Sequence, residues 1–202
     1  PPSTREEASV KTRTTDAAAR ATSAEQEVAD LLPIEADPVE AHRILDQVPY
    51  WFHTFALNMA EGIYTPGAAR DHRYRLPAVP DDFSGLRVLD VGAFDGFYAF
   101  LAEARGARSV VAVDNEQYVH WVRARWGVEL AGGDGFRAIR GLLDSRVEYR
   151  KLDAFELDGL AGGFIRSCKQ RTDVDIKTEV GKGGCDHLLA AVVAVLADLG
   201  NQ

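Results

Sequence analysis

Cysteine is almost absent from this chain: two among 202 residues, Cys168 and Cys185. They form no C-x-x-C pair and have no metal-ligand spacing, so no zinc or other metal site is expected. A disulfide between them would suit an oxidising compartment, but so sparse a cysteine usage fits a reducing one better. Basic residues are also in deficit, 23 against 31 acids, for a net charge of −8. That balance argues against a broad phosphate-binding surface and hence against a nucleic acid as the main partner. Arg123, Arg125, Arg137, Arg140, Arg146, Arg150 and Lys151 are dense enough for a local basic groove, although a solvated helix face is the simpler account. Long apolar runs are missing, so no membrane span is expected. The N-terminal stretch does not read as a secretory leader. Together these absences point to a cytoplasmic protein with no membrane partner. Internal repeats are lacking too.

What is present is an ordinary globular composition, enough for one core plus an extra segment. Residues 1–24 carry no aromatic and read as a mobile tail. A helix is expected over Ala24–Leu32 and another from Pro38 to Val48, with Asp37 as its N-cap and proline in its first turn. Residues 25–80 then form a helical and aromatic extension covering the site. They include the dense run Tyr50-Trp51-Phe52-His53-Thr54-Phe55 and a Pro-punctuated linker at Pro77 and Pro80. Residues 81–202 carry the core. Strands are predicted at Arg87–Asp90, Ser109–Asp114 and Val147–Asp153, and helices at Gly96–Ala104, Glu116–Trp126 and Gly135–Leu143. Alternating short apolar strands and helices imply parallel pairing through right-handed crossovers, an α/β Rossmann-like doubly wound sheet. Further on, 164–169 and 174–180 are expected as strands and Cys185–Leu199 as a helix.

The strongest chemistry lies at the strand ends. Asp90-Val91-Gly92-Ala93-Phe94-Asp95-Gly96 falls where a strand must turn sharply into a helix. Gly92 permits close backbone approach to a ligand, and Gly96 permits close packing at the helix start. Asp114, ending the second strand, is placed to accept from two ribose hydroxyls. Asp153, ending the third, suits an exocyclic amine, with Ala154 and Phe155 as an apolar wall. A dinucleotide would want G-x-G-x-x-G, but Phe94 occupies the second glycine's place and crowds a pyrophosphate.

RVLDVGAFDGFYAF, VVAVDN and YRKLDAFELD resemble the first three motifs of class I S-adenosylmethionine-dependent methyltransferases. The upstream WFHTFALNMAEGIYTPG is similar to the segment preceding that core in a narrower group. That group includes tRNA wobble-uridine modifying enzymes and relatives acting on natural products or sugars. The resemblance covers about half the chain, from Pro49 to Asp158. It implies S-adenosylmethionine as cofactor, with Asp90 and Gly92 at its methionine end and Ala93, Asp95 and Gly96 completing the turn. Asp114 would hold the ribose, Asn115 border the adenine, and Asp153 with Ala154 contact the base. His53 is the candidate catalytic base, and Trp51, Phe52 and Tyr64 are candidates for an acceptor wall. One branch of the group uses a carboxylated cofactor, for which Arg70, Arg73 or Arg75 would supply the cation. Ordinary S-adenosylmethionine is the reading kept. The expected activity is methyl transfer to a small molecule, with tRNA uridine chemistry as the runner-up.

After Asp158 the pattern departs from that family, which would continue with a fourth strand and three more. A non-catalytic binding protein on a shortened methyltransferase fold is therefore a second hypothesis. An uncovered strand edge invites aggregation, and a homo-oligomer is one way to cover it.

Overall fold

The computed structural model describes residues 23–69, 73–153, 156 and 192–197. Residues 1–22 of the tail expected over 1–24, the strands at 164–169 and 174–180, and Arg70 and Ala154 among the candidates lie outside them, while Ser23 and Ala24 of that tail already belong to a helix. The chain divides into two compact units, Pro1–Tyr74 and Arg75–Gln202.

The first unit opens with α1 (Ser23–Ala29), which ends four residues before Pro33. Helix α2 (Pro38–Gln47) starts where expected. The Asp37 carboxylate accepts from the Val39 and Glu40 amides, occupying donors that the first helical turn leaves without partners. The aromatic run leads into β1 (Ala56–Asn58), which pairs antiparallel with β2 (Ile63–Tyr64), a small sheet the sequence did not announce. Both strands are too short for their alternation to register as a pattern. Thr65 ties this unit internally: its hydroxyl accepts from the Phe55 amide at 2.8 Å and donates to the His53 carbonyl at 2.9 Å. Gly67 is obligatory beside it, because a Cβ there would lie 2.5 Å from the Thr54 nitrogen. The expected proline linker is in part a 3-10 helix, Arg73–Ala78.

The second unit is an α/β arrangement. Strands β3 (Leu86–Val91), β4 (Ser109–Asp114) and β5 (Glu148–Lys151) pair in parallel, in the order β5-β4-β3. Parallel neighbours need a crossover, and helices follow β3 and β4: α3 (Phe97–Ala104) after the first, then α4 (Gln117–Trp126) and α5 (Asp134–Leu142) after the second. Helix α3 is buried over Phe97–Ala102 almost without interruption, as its all-round apolar sequence requires. Gly106, at φ 91°, ends it in the left-handed conformation expected of a glycine just past a helix. The Phe136 ring of α5 bridges Phe100 of α3 and Tyr149 of β5, with centroid distances of 4.8 and 4.7 Å. β5 is shorter than the predicted Val147–Asp153 at both ends.

The helix expected over Cys185–Leu199 is overturned across its second half. Val192–Ala197 is a strand, β6, paired antiparallel with β3 from Val91↔Val192 to Leu86↔Ala197. A six-residue apolar run rich in valine does not distinguish a buried strand from a buried helix by periodicity. Valine's branched side chain suits the pleated sheet, and β3 offers an edge to pair with. Among the described residues no helix is long and apolar enough to cross a membrane.

Candidate functional site

The carboxyl ends of β3, β4 and β5 meet at one edge of the sheet, because parallel pairing brings Asp90, Asp114 and Lys151 to the same side. Asp90 is 1 % exposed. Beyond it the chain turns through three positive-φ residues, Gly92 at 74°, Phe94 at 51° and Gly96 at 84°. Glycine adopts this region freely, but phenylalanine does so at a cost of about 1–3 kcal/mol. The turn is held from β4: the Gly92 and Ala93 amides donate to the Val113 carbonyl at 2.8 and 3.1 Å. The Gly96 amide closes it onto the Ala93 carbonyl at 2.7 Å. A Cβ at Gly96 would lie 2.5 Å from the Phe136 ring, so this glycine is needed for packing as well as for φ.

Asp114 fastens the two strand ends together. Its Oδ2 accepts from the Phe94 amide at 3.0 Å and its Oδ1 from the Glu116 amide at 2.6 Å. The first of these bonds spans the strained position of the turn. An ionised carboxylate has about four acceptor positions, of which these two bonds take up two. Burial pushes the Asp114 pKa above its ordinary value. The two amide bonds pull the other way, and the charges of Glu116 and Asp95 add to the upward shift.

Asn115 makes the next link, donating from Nδ2 to Asp153 Oδ2 at 3.1 Å while its Oδ1 accepts from the Gln117 amide. The three predicted motifs are thereby joined by side-chain hydrogen bonds: the first to the second through Asp114, the second to the third through Asn115. Asp95, 5 % exposed, lies within the same turn.

A scan of protein-family models and a search of curated proteins each return no match for this chain. The site therefore stands on its own geometry.

Three residues that sequence reasoning passed over belong to this edge. Glu116 sits at φ 58° at the start of α4, and its carboxylate accepts from the Tyr149 hydroxyl at 3.1 Å and pairs with Lys151 at 2.7 Å. A Cβ at Gly132 would collide with it. The Tyr118 hydroxyl accepts from the Gly133 amide at 2.7 Å, and its ring lies 5.0 Å from that of Phe94. Burial, with the nearby carboxylates behind it, raises the pKa of both Tyr118 and Tyr149. Glu116 lies only two residues past Asp114, so reading the motif slightly further would have found it. The tyrosines carry no sequence signal, since only folding brings them to the strand ends.

The remaining candidates, Arg75 excepted, belong to the first unit. His53 is 1 % exposed and meets Phe52 and Phe55 edge-on, at 4.9 and 6.4 Å between centroids. Trp51 is 2 % exposed and packs edge-on against Phe55 at 6.0 Å. The Tyr64 hydroxyl donates to Asp30 at 3.0 Å, and burial raises its pKa. Arg73 pairs with Glu27, and Arg75, in the second unit, lies 6.0 Å from the Tyr98 ring.

Proposed function

We propose that the second unit is a Rossmann-like, class I methyltransferase-type domain that binds S-adenosylmethionine at its carboxyl edge. In this reading the protein transfers the methyl group to a small-molecule acceptor. The observation that carries the proposal is the hydrogen-bonded chain Phe94–Asp114 and Asn115–Asp153, which links three successive strand ends around a glycine turn. Ligands of open α/β sheets bind outside such ends.

The donor set suits this cofactor. Asp90, Asp95 and Asp114 are buried acids at one edge, a setting that favours a sulfonium and an ammonium and opposes a pyrophosphate. Gly92 and Ala93 would face the methionine end, and Asp114 would accept from the ribose. Asn115 and Asp153 would border the adenine. Bound S-adenosylmethionine supplies an activated methyl group, and the protein's share is chiefly alignment of the acceptor with it.

A second reading, a non-catalytic binding protein on the same fold, is favoured by one observation. The edge of β3 away from β4 is filled by β6, which runs antiparallel where a mostly parallel doubly wound sheet was expected.

Calorimetric titration of the full chain with S-adenosylmethionine and, separately, S-adenosylhomocysteine tests the proposal. A Kd in the range of about 1–100 μM for either supports it. A folded protein that binds neither overturns it.

A further inference from the structure

Glu116 is strained where the start of α4 gives no reason for it. It holds φ 58° without being glycine, a conformation costly to a residue of its size. It occupies the N-cap of α4, yet its side chain accepts no bond from the helix. Asn115 takes that part, with its Oδ1 accepting from the Gln117 amide at 3.1 Å. The Glu116 carboxylate, 12 % exposed, is committed elsewhere. We propose that Glu116 is a positioning residue for the cofactor's ribose: its grip on β5 sets the backbone amide that aims the Asp114 carboxylate. This role rests on the cofactor reading of the second unit and adds to it a residue that need not touch the ligand.

The grip has three parts. The Tyr149 hydroxyl donates to Glu116 Oε1 at 3.1 Å, and Lys151 pairs with Oε2 at 2.7 Å. The Tyr149 ring is itself packed on Phe136, 4.7 Å between centroids. Gly132 flanks the same carboxylate so closely that a Cβ there would collide with it. At the other end of the residue, the Glu116 amide donates to Asp114 Oδ1 at 2.6 Å. With the Phe94 amide on Oδ2, both oxygens of Asp114 are fixed in direction.

A binding group keeps its productive orientation, within about 10–20°, only when packed and hydrogen-bonded neighbours hold it. Asp114 is held by two backbone amides, and one of them belongs to a residue in a conformation its own backbone disfavours. The side-chain grip is what opposes that strain. Lys151, with a side chain 68 % exposed, adds little alone. The main hold is therefore the Tyr149 hydroxyl, a donor to a charged acceptor in a partly buried setting. A residue needed only to begin α4 would act through its backbone, and glycine would serve as well. The place of its carboxylate would then not matter to a ligand.

The test is calorimetric titration of the full chain with S-adenosylhomocysteine and with its 2′,3′-dideoxy analogue, which lacks both ribose hydroxyls. The wild type is compared with Glu116→Gly, Tyr149→Phe and Gly132→Ala. Glycine takes φ 58° freely, and phenylalanine keeps the ring of Tyr149. Gly132 is outside the positive-φ positions, so alanine there displaces only the end of a flexible side chain. Thermal melting checks that all three fold. The expected result is that each variant weakens S-adenosylhomocysteine binding roughly fivefold or more and changes the affinity of the analogue by less than about twofold. That difference reports a loss confined to the ribose contact. Unchanged binding of S-adenosylhomocysteine by the variants, or an equal loss for both ligands, overturns the inference and leaves the cofactor reading standing. Equal binding of both ligands by the wild type also overturns it, since the hydroxyls then make no contact to be aimed. A folded wild type that binds neither ligand overturns the cofactor reading and this role with it.

Discussion

Asp114 shows how much one residue can be asked to do. Its carboxylate is buried, yet it holds the amide of a strained Phe94 and the amide that starts α4. Its pKa is raised above the ordinary 3.8, with burial as the main cause. The proton is then bound more tightly in the folded state than in the unfolded one. The stability linked to this residue is full below pH 3.8 and is lost as pH rises through the folded value. The advantage of the wild type over Asp114→Asn should therefore shrink as pH rises above about 4. Denaturant unfolding of both proteins over a pH series would show it. An advantage that stays constant or grows with pH would contradict the raised pKa. The residue type and place of Asp114 were legible in VVAVDN. Its bond to Phe94 was not, because that contact joins positions twenty residues apart and exists only once β3 and β4 pair.

At the scale of elements, the turn from β3 into α3 is specified twice, by backbone conformation and by packing. Gly96→Ala places a side chain at φ 84° and against the Phe136 and Phe100 rings. The expected loss is about 2–5 kcal/mol, the sum of backbone strain and overpacking. A loss below about 1 kcal/mol in urea unfolding would mean the rings move aside freely. Most helices and parallel strands of this unit were readable in advance, since their caps, glycines and apolar runs are local signals. Helix α2 of the first unit is as plain a case, with Asp37 and Pro38 marking its start. The β1–β2 hairpin was not readable. Its five strand residues, Ala56–Asn58 and Ile63–Tyr64, are held by backbone pairing and by Thr65 rather than by any repeating pattern. β6 was misread because a short apolar run leaves the choice between helix and strand to whatever it packs against.

For the molecule as a whole, that choice decides how the sheet ends. β6 takes the edge of β3 that parallel pairing with β4 leaves exposed. Adjacent residues of a strand point their amides to opposite sides, so replacing both Ala194 and Val195 with proline must remove one bond to β3 whatever the register. The double variant should lose about 3 kcal/mol or more and tend to aggregate through the uncovered edge. An unchanged melting temperature and a soluble protein would show that β6 contributes nothing to the sheet. By itself the sequence determined the α/β character of the second unit and the acids at its strand ends, because buried strands, glycine turns and helix caps are written within a few residues of one another. Only the tertiary structure decided that Asp114 spends two acceptor positions on the backbone, that Glu116 and two tyrosines join it, and that Val192–Ala197 runs antiparallel to β3. Each of those depends on which distant segments become neighbours, and pairing across a sheet is settled by register and burial rather than by any one stretch of chain.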